Sequence, residues 1–571
     1  KRKGAQVVWE VLTHEGVDVV FGYPGGAVLP TTNAVTDYPI HFVLTRHEQG
    51  AAHMADGYAR ATGRVGVAMA TSGPGATNLV TGIATAMMDS SPMVCITGQV
   101  NSTAIGTSAF QETDVTGVTL PITKHNYLVT RAEDIMPALR EAFYVARSGR
   151  PGPVLVDITK DAQNGVVDWE WDDTPITLPG YRPDLRAVPA EYERAIELIN
   201  SAERPVILAG QGVIMSRAGD RVIQFMEKAN IPAAITLLGI GGIPASHPLN
   251  LGMMGMHGEA WVNIAIQEAD LLLAFGMRFD DRVTGNLATY ATKARKIHID
   301  IDPSEINKIV PVDVGIVGDL GETLDRLIPS LEHRDRSEWL AFIDSARDDS
   351  ALRDIQRTGN GKLHAPHVIY DLWRYTDGNA LVVTDVGQHQ MWEAQYYLHE
   401  HPRTLITSGG LGTMGFGLPA AIGARFGRPD DEVWAIVGDG GFQMTAAELS
   451  TCKQEGIKIN IAILNNYFLG MVRQWQEFFY DRNYSVTPMR PPDFVKLADA
   501  HGLVGLRCER REDVEAVVRE AQNTEGTVVI DFQVEREDAV YPMVPAGADL
   551  HKMIRRPEPT TEAAAAEATN K

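Results

Sequence analysis

The sequence predicts an α/β fold of three domains, each a mainly parallel sheet flanked by helices. Apolar runs of strand length alternate with helical stretches along the whole chain, and glycine-rich turns join them. One order of elements (strand, glycine turn, helix, strand) occurs twice, at residues 65–99 and again at 433–466, so the outer domains read as related copies. Composition agrees: 571 residues, 44% hydrophobic and 22% charged, are ordinary globular material, enough for several domains.

A formal charge of −22 argues against nucleic acid or an anionic membrane as partner and leaves a small-molecule enzyme as the simpler expectation. Cys95, Cys452 and Cys508 are scattered without metal-type spacing. Two of them, Cys95 and Cys452, fall in apolar elements, which fits buried thiols and a reducing, cytoplasmic setting. No apolar run approaches the length of a membrane span, and the start lacks a signal-peptide core. Because the chain opens on Lys1, removal of an upstream transit segment, with a plastid or mitochondrial location, is the alternative.

The first domain, residues 1–165, has a helical pattern at 6–16, a strand at 17–21 and a tight turn through Gly26. A short strand at 41–44 ends at Arg46-His47-Glu48-Gln49, and 51–61 is helical, so Glu48 stands where a strand hands over to a helix. On position alone that carboxylate is a helix N-terminal partner or an ion-pair partner of Arg46 or His47. Then come a strand at 65–70, the turn Thr71-Ser-Gly73-Pro-Gly75, a helix at 76–88 and a strand at 93–96 before Gly98-Gln99. Gly149-Arg150-Pro-Gly-Pro153 introduces the closing strand, 154–158, which ends at Lys160-Asp161. Residues 166–190, rich in Trp, Pro and Asp without periodicity, form a linker.

The middle domain, 191–331, places glycine directly after its strands, Gly210-Gln-Gly212 after 205–209 and Gly276 after 269–275. Such turns in a parallel sheet admit a dinucleotide, although Gly210-Gln-Gly212 is too short for a full fingerprint. Residues 332–366 form a second linker, a charged helix and a polar connector, and 367–545 are the third domain. Its first strand, 381–384, leads into Asp385-Val386-Gly387-Gln388-His389. The G-x-G-x-x-G at Gly410, Gly412 and Gly415 lacks the strand, helix and acidic residue of an NAD site and is not read as one. Phe478-Phe479-Tyr480 has the spacing of core. Residues 546–571 are a tail whose end, 562–571, reads as disordered.

The chemistry centres on 433–470. Two apolar runs joined by a helical crossover make neighbouring parallel strands, and polar residues just past their ends gather in one crevice. Asp439, in Gly438-Asp439-Gly440-Gly441, and Asn466, in Asn465-Asn466, stand at those ends. Both offer oxygen, which suits a hard octahedral cation that also binds a phosphate. The spacing, Gly-Asp-Gly and Asn-Asn with residues 441–464 between them, resembles the binding motif of the thiamine-diphosphate-dependent decarboxylases and carboligases. That resemblance assigns magnesium to Asp439, Asn466 and the carbonyl of Phe468.

From about Ala5 to Met553 the chain is similar to the catalytic subunits of the acetohydroxyacid synthase (acetolactate synthase) family. The matching stretches include Phe21-Gly-Tyr-Pro-Gly-Gly26-Ala27, Arg46-His-Glu48-Gln49, Thr97-Gly-Gln99-Val100, Ala109-Phe110-Gln-Glu112, Gly149-Arg150-Pro-Gly-Pro153, Gly255-Met-His257-Gly258, Arg278-Phe-Asp280-Asp281-Arg282, Val386-Gly-Gln-His389 and Leu469-Gly-Met471-Val472. One departure is Asn101, where many members carry proline in an access channel that affects inhibitors.

The resemblance implies thiamine diphosphate, magnesium and a structural FAD as cofactors, with two thiamine-diphosphate-binding domains around an FAD-binding middle domain. It implies decarboxylation of pyruvate and transfer of the two-carbon unit to a second 2-keto acid, the first common step of valine, leucine and isoleucine synthesis. Glu48, Gln99 and Lys160 become catalytic, and Gly26, Phe110, Arg282, Met471, Val472 and Trp475 substrate-binding. From the residues alone Arg282 reads instead as a salt bridge to Asp280 or Asp281. Val386, Gly387, Gln388, His389, Gly412, Met414, Asp439, Gly440, Gly441, Asn466 and Phe468 take thiamine diphosphate with Glu48. Arg150, Gly210, Gly212, Thr236, Leu237, Met254, His257, Gly276, Arg278, Asp280, Arg282, Asp300, Ile301 and Asp319 take FAD. A homodimer or homotetramer with the active site between subunits, and a separate regulatory subunit, are further implications. Pyruvate oxidase, which uses its flavin as electron acceptor, is the nearest alternative.

Overall fold

The computed structural model describes residues 1–347 and 361–557, so the disorder expected at 562–571 lies outside the described residues. The first domain contains β1 (Val19–Gly22), β2 (His41–Leu44), β3 (Gly66–Ala70), β4 (Met93–Gln99), β5 (His125–Val129) and β6 (Pro153–Thr159), in sheet order β2-β1-β3-β4-β6-β5. The third contains β13 (Leu381–Thr384), β14 (Leu405–Ile406), β15 (Val433–Gly438), β16 (Asn460–Asn465), β17 (Val504–Cys508) and β18 (Val528–Gln533), in order β14-β13-β15-β16-β18-β17. Apart from numbering the two orders are identical, which makes the outer domains copies of one topology.

Between them, β7 (Pro205–Ala209), β8 (Ala233–Ile235), β9 (Asn250–Met253), β10 (Leu271–Phe275), β11 (Arg295–Asp300) and β12 (Val314–Val317) run β9-β8-β7-β10-β11-β12. Strand order reverses between β7 and β10, where a doubly wound sheet opens a crevice at its carboxyl ends. Every pairing within the three sheets is parallel. Helices cover both faces of such sheets, which is why central strands such as Val433–Gly438 and Pro205–Ala209 are apolar and buried along their length.

One hydrophobic core runs through both outer domains: Met54 and Tyr58 of the first pack with Phe416, Leu418 and Ile422 of the third. The helices Glu48–Thr62 and Gly417–Gly427 meet there backbone to backbone. A Cβ on Gly57 would stand 2.1 Å from the carbonyl oxygen of Ala420, and one on Gly423 would stand 1.8 Å from that of Met54. Only glycine permits this approach.

Some elements differ from the sequence reading. The first-domain helix begins at Glu48 rather than 51, because His47 caps it by accepting the Gln49 N–H at 3.1 Å on Nδ1. The helix after β15 begins at Asp439 itself. Val166–Val167 of the first linker pairs with Arg2–Lys3. Residues 546–557 are no free tail: Leu550 is buried in the middle-domain core, Asp549 accepts the Thr289 hydroxyl at 2.6 Å, and Ile554 pairs with Met543. Phe479 and Tyr480, read as core, are exposed, since Arg473 and Gln474 take the buried face of their helix. All three cysteines are buried. Among the described residues, no helix is long and apolar enough to cross a membrane.

Candidate active site

The strand order of the third domain reverses between β13 and β15, so the residues following those strands share a crevice. After β13 stand Val386 and Gly387, after β15 Asp439 and Gly440, and after neighbouring β16 Asn466. Asp439 is 1% exposed, and its Oδ2 has no hydrogen-bond partner among the described residues. Burial pushes its carboxyl up to about 7 against the opposing effect of nearby backbone donors, among them the Asn466 N–H. A buried carboxylate oxygen left without a donor fits a cation, which would reverse that shift.

Around it the chain is shaped for oxygen ligation. Asn466 Oδ1 accepts the Phe468 N–H at 3.1 Å. The bonds Leu469 N–H to Thr487 and Met489 N–H to Tyr467 zip this turn to its neighbour, which sends the Phe468 carbonyl to the opposite edge. Gly440 and Gly441 carry no side chain into the crevice: a Cβ on Gly440 would meet Leu469 at 2.8 Å, and one on Gly441 would meet Asp385 Oδ1 at 2.3 Å. One carboxylate, one amide and one carbonyl suit magnesium, which keeps waters and phosphate oxygens in its shell. The residues present therefore fit a magnesium diphosphate.

Gln388 and His389 take different parts. The Gln388 side chain is committed, donating to Gln474 Oε1 and the Asp538 carbonyl at 2.9 Å each and accepting from Asn466, so only its backbone faces a ligand. His389 is wedged between Gly387 and Gly438, each of whose Cβ atoms would lie 2.9 Å from its Cε1. Burial lowers its imidazole to about 3, and Nε2 has no partner.

A cavity of about 830 Å³ opens at the β7/β10 reversal, where the middle domain meets the first and third. Every flavin position named from the sequence lines it except Gly210. Gly210 instead packs under it, where a Cβ would stand 2.3 Å from the Gly276 carbonyl. Gly212 bonds the same carbonyl at 2.9 Å, and Gly276 holds φ 57°, so the chain leaves room for a phosphate-bearing dinucleotide. Asp280 caps the short helix Asp281–Thr284 through the N–H groups of Arg282 and Val283. Arg282, Met471 and Trp475 line the cavity together with Val386, Gly387 and Gly412. The Arg282 side chain is 55% exposed, and its guanidinium makes only a loose pairing with Asp281 at 3.6 Å and a 3.8 Å contact to Met256 Sδ.

The first-domain candidates for catalysis and substrate lie elsewhere in the same chain. Glu48 is buried and accepts the Asn78 amide at 2.9 Å. Gln99 is held by Asp157 and the Thr113 carbonyl, at 2.9 and 2.8 Å. Lys160 is half-buried at the start of its helix, Gly26 is exposed, and Phe110 is 87% exposed. None of these five lines the cavity that holds Arg282 and Trp475. Met414 is half-buried and close to Gly440, and Val472 points outward, 40% exposed.

Three family profiles match in the order of the domains: "Thiamine pyrophosphate enzyme, N-terminal TPP binding domain" over residues 2–118, the central domain over 192–327, and the C-terminal TPP binding domain over 385–532. An acetolactate synthase of Mycobacterium bovis is 50% identical over 557 residues, covering 95% of this chain and 90% of its own length. The acetolactate synthase isozyme 2 large subunit of Escherichia coli is 46% identical over 558 residues, 97% of this chain and 99% of its own. The chain belongs to the acetolactate synthase large-subunit family. Another relative, the acetolactate synthase large subunit of Corynebacterium glutamicum, is 49% identical over 558 residues, 95% of this chain and 89% of its own.

Two carboxylates shape this acetolactate synthase fold without having been singled out from the sequence. Asp385, wholly buried, accepts the N–H groups of Val386, Gly415 and Gly417, at 2.8, 3.0 and 2.9 Å, and so ties the end of β13 to the glycine loop. Glu448 reaches from the third domain to the N–H groups of Arg46 and His47, at 3.1 Å each, and fixes the turn that carries Glu48. The signal for Asp385 was its place directly after an apolar strand; Glu448 had none, since its partners lie some four hundred residues away.

Proposed function

We propose that the chain is the catalytic subunit of an acetolactate synthase. It decarboxylates pyruvate and joins the two-carbon unit to a second 2-keto acid, giving 2-acetolactate from pyruvate or 2-aceto-2-hydroxybutyrate from 2-ketobutyrate. The observation that carries the reading is the buried, partnerless Asp439 oxygen at a strand-order reversal, flanked by Gly440 and Asn466. Thiamine diphosphate, when bound, supplies the electron sink that lets the carboxyl group depart as carbon dioxide.

The chain's own residues bind and orient. Asp439, Asn466 and the Phe468 carbonyl hold magnesium. Val386, Gly387 and the free N–H groups at the start of the helix Gln388–Tyr396 face the diphosphate, where a helix N-terminus favours negative charge. Glu48 holds a proton at the aminopyrimidine ring nitrogen, and the first-domain positions outside the cavity support its delivery by a partner chain, with the exposed Phe110 and Gly26 turned to that subunit's substrate. Arg282 grips the acceptor carboxylate through two parallel N–H donors, and Trp475 offers a flat apolar wall to its alkyl group. FAD fits the 830 Å³ cavity. The relatives named large subunits support a separate small subunit as partner.

The test is to incubate the chain with pyruvate, thiamine diphosphate, magnesium and FAD, and to measure acetolactate and oxygen together. Acetolactate without oxygen uptake is expected. Oxygen consumption without acetolactate would place the chain with the pyruvate oxidases.

A further inference from the structure

Asp89 lies where the three domains meet. It closes the helix Val80–Met88 of the first domain and is fully buried. Its Oδ2 accepts the Arg60 guanidinium at 2.9 Å and the Gly409 N–H at 3.0 Å; its Oδ1 accepts the Gly410 N–H at 2.6 Å. Arg60 also donates to the Thr407 carbonyl at 2.6 Å. A buried ion pair of the first domain thus holds the start of the third-domain loop that runs on to Gly412 and Met414, and Asp385 holds its far end through Gly415.

The other side of this junction faces the flavin cavity. Ser90 Oγ accepts Arg150 Nε at 2.8 Å, and Arg150 reaches Asp302 and Glu305 of the middle domain at 3.2 and 2.8 Å. A Cβ on Gly410 would meet Asp89 Oδ1 at 2.7 Å and Arg278 at 3.0 Å, so Arg278 abuts the same loop. Ser90, Arg150, Arg278, Gly409 and Gly410 all line the cavity. A dinucleotide there would touch Arg150, which holds Ser90 next to Asp89, and Arg278, which abuts Gly410, and the loop anchored by Asp89 ends at the proposed thiamine-diphosphate crevice.

We propose that Asp89 is a positioning residue that couples the two cofactor sites: filling the flavin cavity fixes the Gly409–Gly410 loop through Asp89, and so tightens binding of thiamine diphosphate. The inference rests on the cofactor reading above. Coupling of this kind is reciprocal, so thiamine diphosphate tightens FAD by the same factor.

The full-length chain, stripped of both cofactors, is titrated with thiamine diphosphate in magnesium by tryptophan quenching, with and without saturating FAD. FAD is titrated in turn by flavin fluorescence. In the wild type each cofactor is expected to lower the other's Kd by roughly tenfold, within the usual range of coupling. In Asp89→Asn that ratio falls to about one while both cofactors still bind. Loss of a fold element would weaken both binding steps but not abolish their ratio alone. An unchanged ratio in Asp89→Asn, or a wild-type ratio of one, overturns the inference. Should Asp89→Asn not fold, Ser90→Ala decides: it removes the Arg150 bond beside Asp89 while Asp302 and Glu305 still hold Arg150 and the buried pair is untouched, and a full wild-type ratio in it overturns the coupling. A wild type that binds neither cofactor overturns the cofactor reading and the coupling with it; one that binds both independently overturns the coupling alone.

Discussion

Asn466 donates its side-chain amide to Gln388 Oε1 at 3.2 Å, and this bond orients the amide so that its oxygen serves the turn at Phe468. The ligand end of β16 is therefore set by a residue after β13. Asp439 contributes the only charge among the three proposed magnesium ligands. Asp439→Ala should abolish magnesium-dependent binding of thiamine diphosphate; calorimetry showing undiminished affinity would contradict the assignment.

Glu48 is not among the residues that line the cavity of its own chain, and its carboxylate accepts the Asn78 amide. Glu48→Gln keeps the shape and removes the proton. Turnover should fall by roughly 10²- to 10⁴-fold, the range for a lost proton-transfer group, with the sedimentation coefficient unchanged from the wild type. Steady-state kinetics at saturating pyruvate read this directly, and unchanged turnover would refute the role.

Arg282 and Trp475 line one cavity, and their effects should separate. Arg282→Gln removes a charged contact worth roughly 1.5 to 3 kcal/mol, seen as weaker use of either acceptor. Trp475→Leu should erode preference for 2-ketobutyrate over pyruvate instead. A competition assay gives the product ratio, and an unaltered ratio in Trp475→Leu would count against its place at the alkyl group.

Asp157, on β6, is buried beneath Gln99 and accepts Thr97 and Gln99 at 2.7 and 2.9 Å. Burial outweighs those donors and pushes its carboxyl up to about 7. The folded chain then holds a proton that the unfolded chain releases above its ordinary pKa of 3.8. Stability from this group is present at low pH and falls by about 1.4 kcal/mol per pH unit as pH rises toward 7. Asp157→Asn lacks this dependence, so its denaturation midpoint should gain on the wild type between pH 5 and 7. Parallel midpoints across that window would show that Asp157 does not titrate there.

The crevice proposed for the metal could be placed from the sequence because its parts are local. Asp439 follows one apolar strand and Asn466 the next, and a parallel pair brings both ends together whatever the rest of the chain does. The repeated topology of the outer domains was legible for the same reason, as a pattern of glycine turns at strand ends. The glycines at 210, 212 and 276 were read as turns able to admit a dinucleotide, but their contact with one another is a backbone approach across β7 and β10 that sequence spacing does not display. Gln388 shows the opposite limit: its place in the motif resembled a cofactor contact, while Gln474 and Asp538, far along the chain, take up its side chain.

The sequence by itself determined three parallel sheets, two of them copies, and the residue types that stand at their carboxyl ends, because hydrophobic periodicity and glycine act over a few residues. Only the tertiary structure decided which of those ends share a cavity. Arg282, Trp475 and Gly412 meet in one space, whereas Glu48 and Gln99 of the same chain do not reach it. That outcome follows from packing at long range: Gly57 and Gly423 let two helices touch, Glu448 and Asp89 tie one outer domain to the other, and each bond joins residues hundreds of positions apart.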